Sequence, residues 1–194
     1  VYFDGVATNT GVYDVNSNLS DITVNDLTVN GNLDVDGGTI KLDGNYPTGT
    51  DNVALGDTAL DSVEAGGADN VAIGNHSGTA ITTGDRNTAV GSLSLEANTT
   101  GLYNTAVGYS SLKTNITGAG NTGLGYRSLE LTTGDNNTGL GYEAGAATAG
   151  GTNNTAVGKS ALCKNTTGSS NVAVGISALF ANTTASENTA VGKS

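Results

Sequence analysis

The 194-residue chain carries a net charge of −11, with 13% charged and 5% aromatic residues. A chain this acidic does not draw in nucleic acid or an anionic membrane by bulk electrostatics. No apolar run approaches the length of a membrane span, no signal peptide is visible, and a single cysteine, Cys163, excludes an intrachain disulfide framework.

Residues 1–19 form an irregular lead-in, with Tyr2, Phe3 and Tyr13 set among Gly, Asn and Asp. Residues 20–47 alternate: Ile22 and Val24, Leu27 and Val29, Leu33 and Val35, Ile40 and Leu42. Asn30-Gly31 and Asp36-Gly37-Gly38 separate the pairs. Period-two apolar residues around Asn-Gly and Asp-Gly turns predict short strands. Two large apolar residues per strand are too few to stand alone, so the segment is expected to form one wall of a multi-chain β-prism. Pro47, the only proline, marks the junction with the repetitive part of the chain.

Residues 48–194 are an array. A five-residue unit, spelled Asn154-Thr155-Ala156-Val157-Gly158 in one copy, begins also at Asn52, Asn70, Asn87, Asn104, Asn121, Asn137, Asn171 and Asn188. Spacings are 17 residues, with one of 18 and one of 16. A fixed period of this size marks stacked repeats. Low charge with few aromatics is also a composition of disordered chains, but the strict period argues against that reading. Counting each unit from its Asn, position 5 is always Gly, as in Gly108, Gly125, Gly141 and Gly158. Position 4 is Val, Leu or Ile, and position 9 is Leu except at Gly78 and Gly145. A further Gly stands three residues before each Asn, Ala185 being the departure.

Helical repeats need an apolar stripe at three- and four-residue spacing. Positions 4 and 9 stand five apart, and Gly recurs twice per unit. Each unit is therefore expected to be one rung of an all-β parallel roll or solenoid, with two strands of about five residues and glycine corners. About nine rungs at roughly 4.8 Å each give a rod on the order of 40 Å. Positions 4 and 9 are assigned to the core, and the position 1 Asn residues, Asn104, Asn121, Asn137 and Asn154 among them, to a hydrogen-bonded ladder. Position 3, Ala in seven copies and Gly at Gly123 and Gly139, is assigned to an outward strip. Two buried aliphatics per rung, at roughly 1.5–3 kcal/mol each, do not balance a backbone cost of roughly 1–2 kcal/mol per residue. Further burial between chains is therefore expected, a threefold axis being the simplest arrangement.

The run Asn104 to Gly118 resembles the repeat of YadA-type trimeric adhesin heads, and more closely the variant found in phage tail fibres. Leu27 to Gly37 is similar to segments of phage fibre shafts. The resemblance implies a left-handed parallel β-roll, a homotrimer, and attachment to a host surface. The unit is longer than that of the adhesin heads, and no coiled-coil stalk or membrane anchor is visible.

No catalytic constellation is apparent: His76 is the only histidine and occupies a variable position, and no cofactor or metal site is expected. Asp26, Asp34 and Asp36 read as polar turns, since no acidic residue follows at the twelfth place of a calcium loop. Tyr109, Tyr126 and Tyr142 share position 6 in three successive rungs, with Tyr103, Arg127 and Glu143 nearby. They read either as a platform for sugar rings or as a stabilising ladder. Asn98, Asn115, Asn165 and Asn182 fit the glycosylation pattern, but in a repeat rich in Asn and Thr they read as turn residues.

The expected function is a structural and attachment protein, a segment of a homotrimeric phage tail fibre in the extracellular virion tail. Its partners would be two identical chains, other tail proteins and a host surface glycan or envelope component, with no nucleic acid and no membrane insertion. Alternatives are a trimeric adhesin head on a bacterial surface, and a polysaccharide-cleaving fibre. The latter needs paired carboxylates, and Glu130 and Glu143 fall on adjacent rungs at different positions. The missing initial Met and the break within the last unit lead to the expectation of a longer parent chain.

Overall fold

The computed structural model describes residues 49–193, and within them the chain winds into a β-solenoid of about eight turns. The lead-in, the β-prism expectation for residues 20–47 and the Asp26, Asp34 and Asp36 turns lie outside the described residues. The strands are β1 (Val53–Leu55), β2 (Val71–Ile73), β3 (Thr88–Val90), β4 (Thr105–Val107), β5 (Thr122–Leu124), β6 (Thr138–Leu140), β7 (Thr155–Val157), β8 (Val172–Val174) and β9 (Thr189–Val191). They form one parallel sheet in chain order, and every pair keeps positions 2, 3 and 4 in register.

The Asn at position 1 enforces this register. Asn104 Oδ1 accepts the backbone N–H of Asn121 at 3.0 Å, and Asn104 Nδ2 donates to the Gly118 carbonyl at 2.8 Å. The same pair of bonds recurs from Asn70 to Asn87 and Gly84, and from Asn154 to Asn171 and Gly168. One side chain thus satisfies two backbone groups of the neighbouring rung that no strand partner reaches. A one-residue slip would break both bonds on every rung.

Two expectations about the rung need correction. The first is the number of strands. Each rung holds one strand of three residues rather than two of about five, and the remainder is a chain of turns. These turns still bond to the next rung, as in Leu112 N–H to Ser128 O at 3.0 Å and Thr99 N–H to Ile116 O at 2.8 Å. The second is the direction of the strand. Position 3 faces inward, with Ala106 fully buried, and position 4 faces outward, with Leu124 44% exposed. Alternation along a strand fixes which positions share a face but not which face is the core. Interior width decides it. Opposite position 3 stands position 8, which is Ser or Ala from Ala59 to Ala178. Ser111 Oγ donates to the Gly123 carbonyl at 2.9 Å, and a Cβ added at Gly123 would lie 2.5 Å from Ser111 Oγ. No Val or Leu fits there. Position 9 fills the core as expected: Leu60, Leu95, Leu112, Leu129 and Leu162 are buried.

That core leucine carries an unusual backbone. Leu112 has φ of 51°, and the same left-handed conformation recurs at Leu95 (48°) and Leu162 (51°). It costs roughly 1–2 kcal/mol for a residue with a Cβ. Full burial of the leucine, worth roughly 1.5–3 kcal/mol, offsets it. Gly78 and Gly145 take that place in two rungs with φ of 57° and 62°. At Gly78 the buried Ile81 supplies the missing volume, its Cδ1 lying 3.0 Å from where a Cβ would be. Spacing differences are absorbed at one corner. Between Val63 and Gly67 the 18-residue unit holds three exposed residues, and between Thr132 and Gly134 the 16-residue unit holds only Thr133.

Position 5 is where glycine is compulsory. All nine have φ between 121° and 134°, and a Cβ at Gly125 would lie 2.6 Å from the Gly141 carbonyl oxygen. Gly125→Val is expected to destabilise by more than about 1 kcal/mol through backbone strain and collision with the next rung. Gly150→Ala, whose Cβ would meet only Thr167 Cγ2 at 4.0 Å, should be close to neutral. Urea midpoints that fall equally in the two variants would contradict the assignment.

Candidate functional site: the tyrosine ladder

Because position 6 follows the position 5 corner, its side chains leave the rod and stack along its length. Tyr109, Tyr126 and Tyr142 are 48%, 41% and 48% exposed. Their ring centroids are 5.6 Å and 5.1 Å apart, with interplanar angles of 13° and 12°. These separations follow from the rise of a parallel sheet, roughly 4.8 Å, so the rung spacing itself stacks the rings. Each pair of this kind adds about 0.5–1.5 kcal/mol beyond area burial.

The stack has a consequence for its chemistry. Both faces of Tyr126 are covered by neighbouring rings, so along its middle the ladder presents ring edges and hydroxyls. Lys159, next at position 6, places its Nζ 5.8 Å from the Tyr142 centroid and covers the outer face of that ring. Arg127 lies 6.0 Å from the Tyr126 ring. Its Nε donates to Glu130 Oε2 at 2.7 Å, Nη2 reaches the same oxygen at 2.7 Å, and Nη1 lies 3.7 Å from Glu143 Oε1. The hydrogen bond and charge of Glu130 hold the guanidinium above its ordinary pKa. Glu130 and Glu143 are thus gathered around one cation. The charge of Glu143 pushes the exposed Tyr142 phenol up from its ordinary value.

The sequence placed Arg127 and Glu143 beside the ladder, and the structure agrees. Tyr103 it does not bring in. That ring stands at the other end of β4, where Arg86 lies 5.7 Å from its centroid and donates to its hydroxyl at 3.3 Å. Asp69 completes that group, 3.4 Å from Arg86 Nε. Ser92 and Lys159 bound the ladder at its two ends and also occupy position 6, which the sequence reads as a solvent-facing position.

Elsewhere the rod offers less chemistry. Asn98, Asn115 and Asn165 are buried and donate to the carbonyls of Gly101, Gly118 and Gly168. They are turn-forming interior residues. Half-buried Cys163 has its thiol pKa raised by desolvation. Among the described residues no group of three His, Cys, Asp or Glu side chains is placed to hold a metal, and no helix is long and apolar enough to cross a membrane. A depression of about 600 Å³ lined by Leu179, Phe180 and Ala190 is the inner face of the last described rung, remote in sequence from the ladder. Comparison of the chain with protein-family models, with curated proteins and with solved structures returns no match. Geometry alone therefore carries the reading of this site.

The neutral Tyr142 phenol contributes fully below its ordinary pKa, and that contribution is lost as pH rises through the raised value. In a pH titration followed by the NMR signals of the Tyr142 ring, Glu143→Gln should let the Tyr142 phenolate appear at lower pH. An unchanged titration curve would remove Glu143 as the cause.

Proposed function

We propose that this chain is a structural attachment protein, a segment of a homotrimeric fibre of the phage tail type, which spans toward a host cell and contacts its surface glycans. The observation that carries the reading is the outward face of the sheet. Positions 2 and 4 of successive strands turn Thr, Val, Leu and Ile to solvent over nine rungs, with Leu55, Ile73, Leu124 and Leu140 between 38% and 47% exposed. A continuous apolar strip of this kind on a protein surface marks an interaction site. A flat, in-register face repeated along a rod is complementary to further copies of itself.

This strip replaces position 3 as the surface offered to partner chains, since position 3 is spent on the interior. The resemblance of the Asn104–Gly118 unit to tail-fibre repeats supports three chains and a place in an extracellular virion tail, and it supports the left-handed sense of the coil. With the sheet face buried between chains, the ladder of Tyr109, Tyr126 and Tyr142, with Arg127, remains as a ridge for the host glycan. A bacterial adhesin head would use the same rod and the same ridge, and a reading of the flanking sequence separates the two. The reading assigns no catalytic residue and no cofactor.

One preparation tests both halves. Light scattering on the purified protein should give a particle three times the 19.1 kDa chain mass. The triple variant Tyr109→Ser, Tyr126→Ser, Tyr142→Ser should keep that mass and lose adsorption to host cells. A folded monomer of the wild-type chain would overturn the assembly, and full adsorption by a trimeric triple variant would overturn the ridge.

A further inference from the structure

We infer that the outer face of Tyr109 is a subsite for a neutral pyranose ring, which enters the ladder as its next layer. The inference rests on the glycan-contact reading and narrows it to one place and one class of ligand. Three stacked rings have six faces. Four are turned to one another at 5.6 Å and 5.1 Å between centroids, and Lys159 covers the far face of Tyr142 at 5.8 Å. The remaining face is that of Tyr109, turned toward the preceding rung.

At that rung position 6 is Ser92, a short side chain where a fourth ring would otherwise continue the pile. The absence of a ring there leaves a step about one rung deep, roughly 4.8 Å, which suits a pyranose lying flat against an aromatic face. Such a face takes the C–H side of a sugar, while the hydroxyls look sideways for polar partners. Position 6 supplies them on the preceding rungs: Ser92, then exposed Asn75, then exposed Asp57. Asn75 Nδ2 donates to Asp57 Oδ2 at 3.4 Å, a long bond between two exposed groups that a ligand can replace. An amide and a carboxylate on one line offer both a donor and acceptors, which matches adjacent sugar hydroxyls. Asp57 and the net charge of −11 disfavour an acidic sugar. Half-buried Leu93, beside Ser92 at position 7, forms an apolar flank.

The test is a proton NMR titration of the whole protein with neutral oligosaccharides built from glucose, galactose, mannose or N-acetylglucosamine. At least one should bind, with ring protons shifted upfield by the Tyr109 ring current. Ser92→Tyr extends the ladder into the step and should weaken binding by tenfold or more. Asn75→Ala changes only an exposed side chain and should weaken binding severalfold with the same thermal unfolding as wild type. Lys159→Ala, at the opposite end, should stay within twofold. If Ser92→Tyr and Asn75→Ala bind like wild type, or if binding follows Lys159 instead, the subsite is wrong, and the ridge still stands or falls by adsorption of the triple serine variant. If no neutral oligosaccharide binds, the subsite is wrong regardless of the ridge.

Discussion

The rod depends on one side chain repeated along its length. An asparagine at position 1 has an acceptor and a donor on the same planar amide, and the neighbouring rung presents a backbone N–H and a carbonyl at matching height. Asn87, Asn104 and Asn121 each bridge in this way with bonds between 2.8 and 3.0 Å, and all three are buried. Leaving either backbone group unpaired in a buried position costs about 1–3 kcal/mol. No other side chain of similar size offers both functions in this geometry: Asp lacks the donor and Leu lacks both. The repeat therefore tolerates length changes at the corner after position 12 and keeps its Asn.

From that ladder the rest of the cross-section follows. With a polar amide column on the inside, the space left is narrow, and small residues at positions 3 and 8 fill it. The aliphatic residues at position 4 have no room within and are turned outward, with Leu124 and Leu140 exposed. Position 5 must then bend the chain out of the strand at a positive φ, with the next rung's carbonyl in close contact, which limits it to glycine. Position 6 emerges just past this corner at a fixed spacing. The tyrosine ladder is thus a by-product of the rung rise, and its chemistry lies in which faces the stack leaves uncovered.

The period, the class of fold, the glycine corner and the exposed position of the tyrosines were legible in the sequence, because each is a constraint repeated on every rung. The direction of the strand was not. Val107 and Leu124 look like core residues by hydropathy, and only the run of Ser and Ala at position 8, from Ser77 to Ala178, signals that the interior is too narrow for them. The left-handed turn at position 9 was hidden because leucine rarely adopts it. Gly78 and Gly145, which look like exceptions in the sequence, mark that conformation in the structure. At the site, the sequence showed three tyrosines in a row. That their faces turn toward each other, leaving Tyr109 with one open side, required the ring planes.

The claim most open to direct measurement is that an asparagine side chain, and no strand partner, holds the backbone N–H of the next asparagine. Amide hydrogen exchange in Asn104→Ala decides it. The Asn121 amide, which donates to Asn104 Oδ1 at 3.0 Å, should exchange about tenfold faster or more, in line with the loss of about 1–3 kcal/mol. The Asn171 amide, bonded to Asn154 Oδ1 at 3.0 Å three rungs away, should keep its wild-type rate. An Asn121 amide that remains as protected as that of Asn171 would contradict the account.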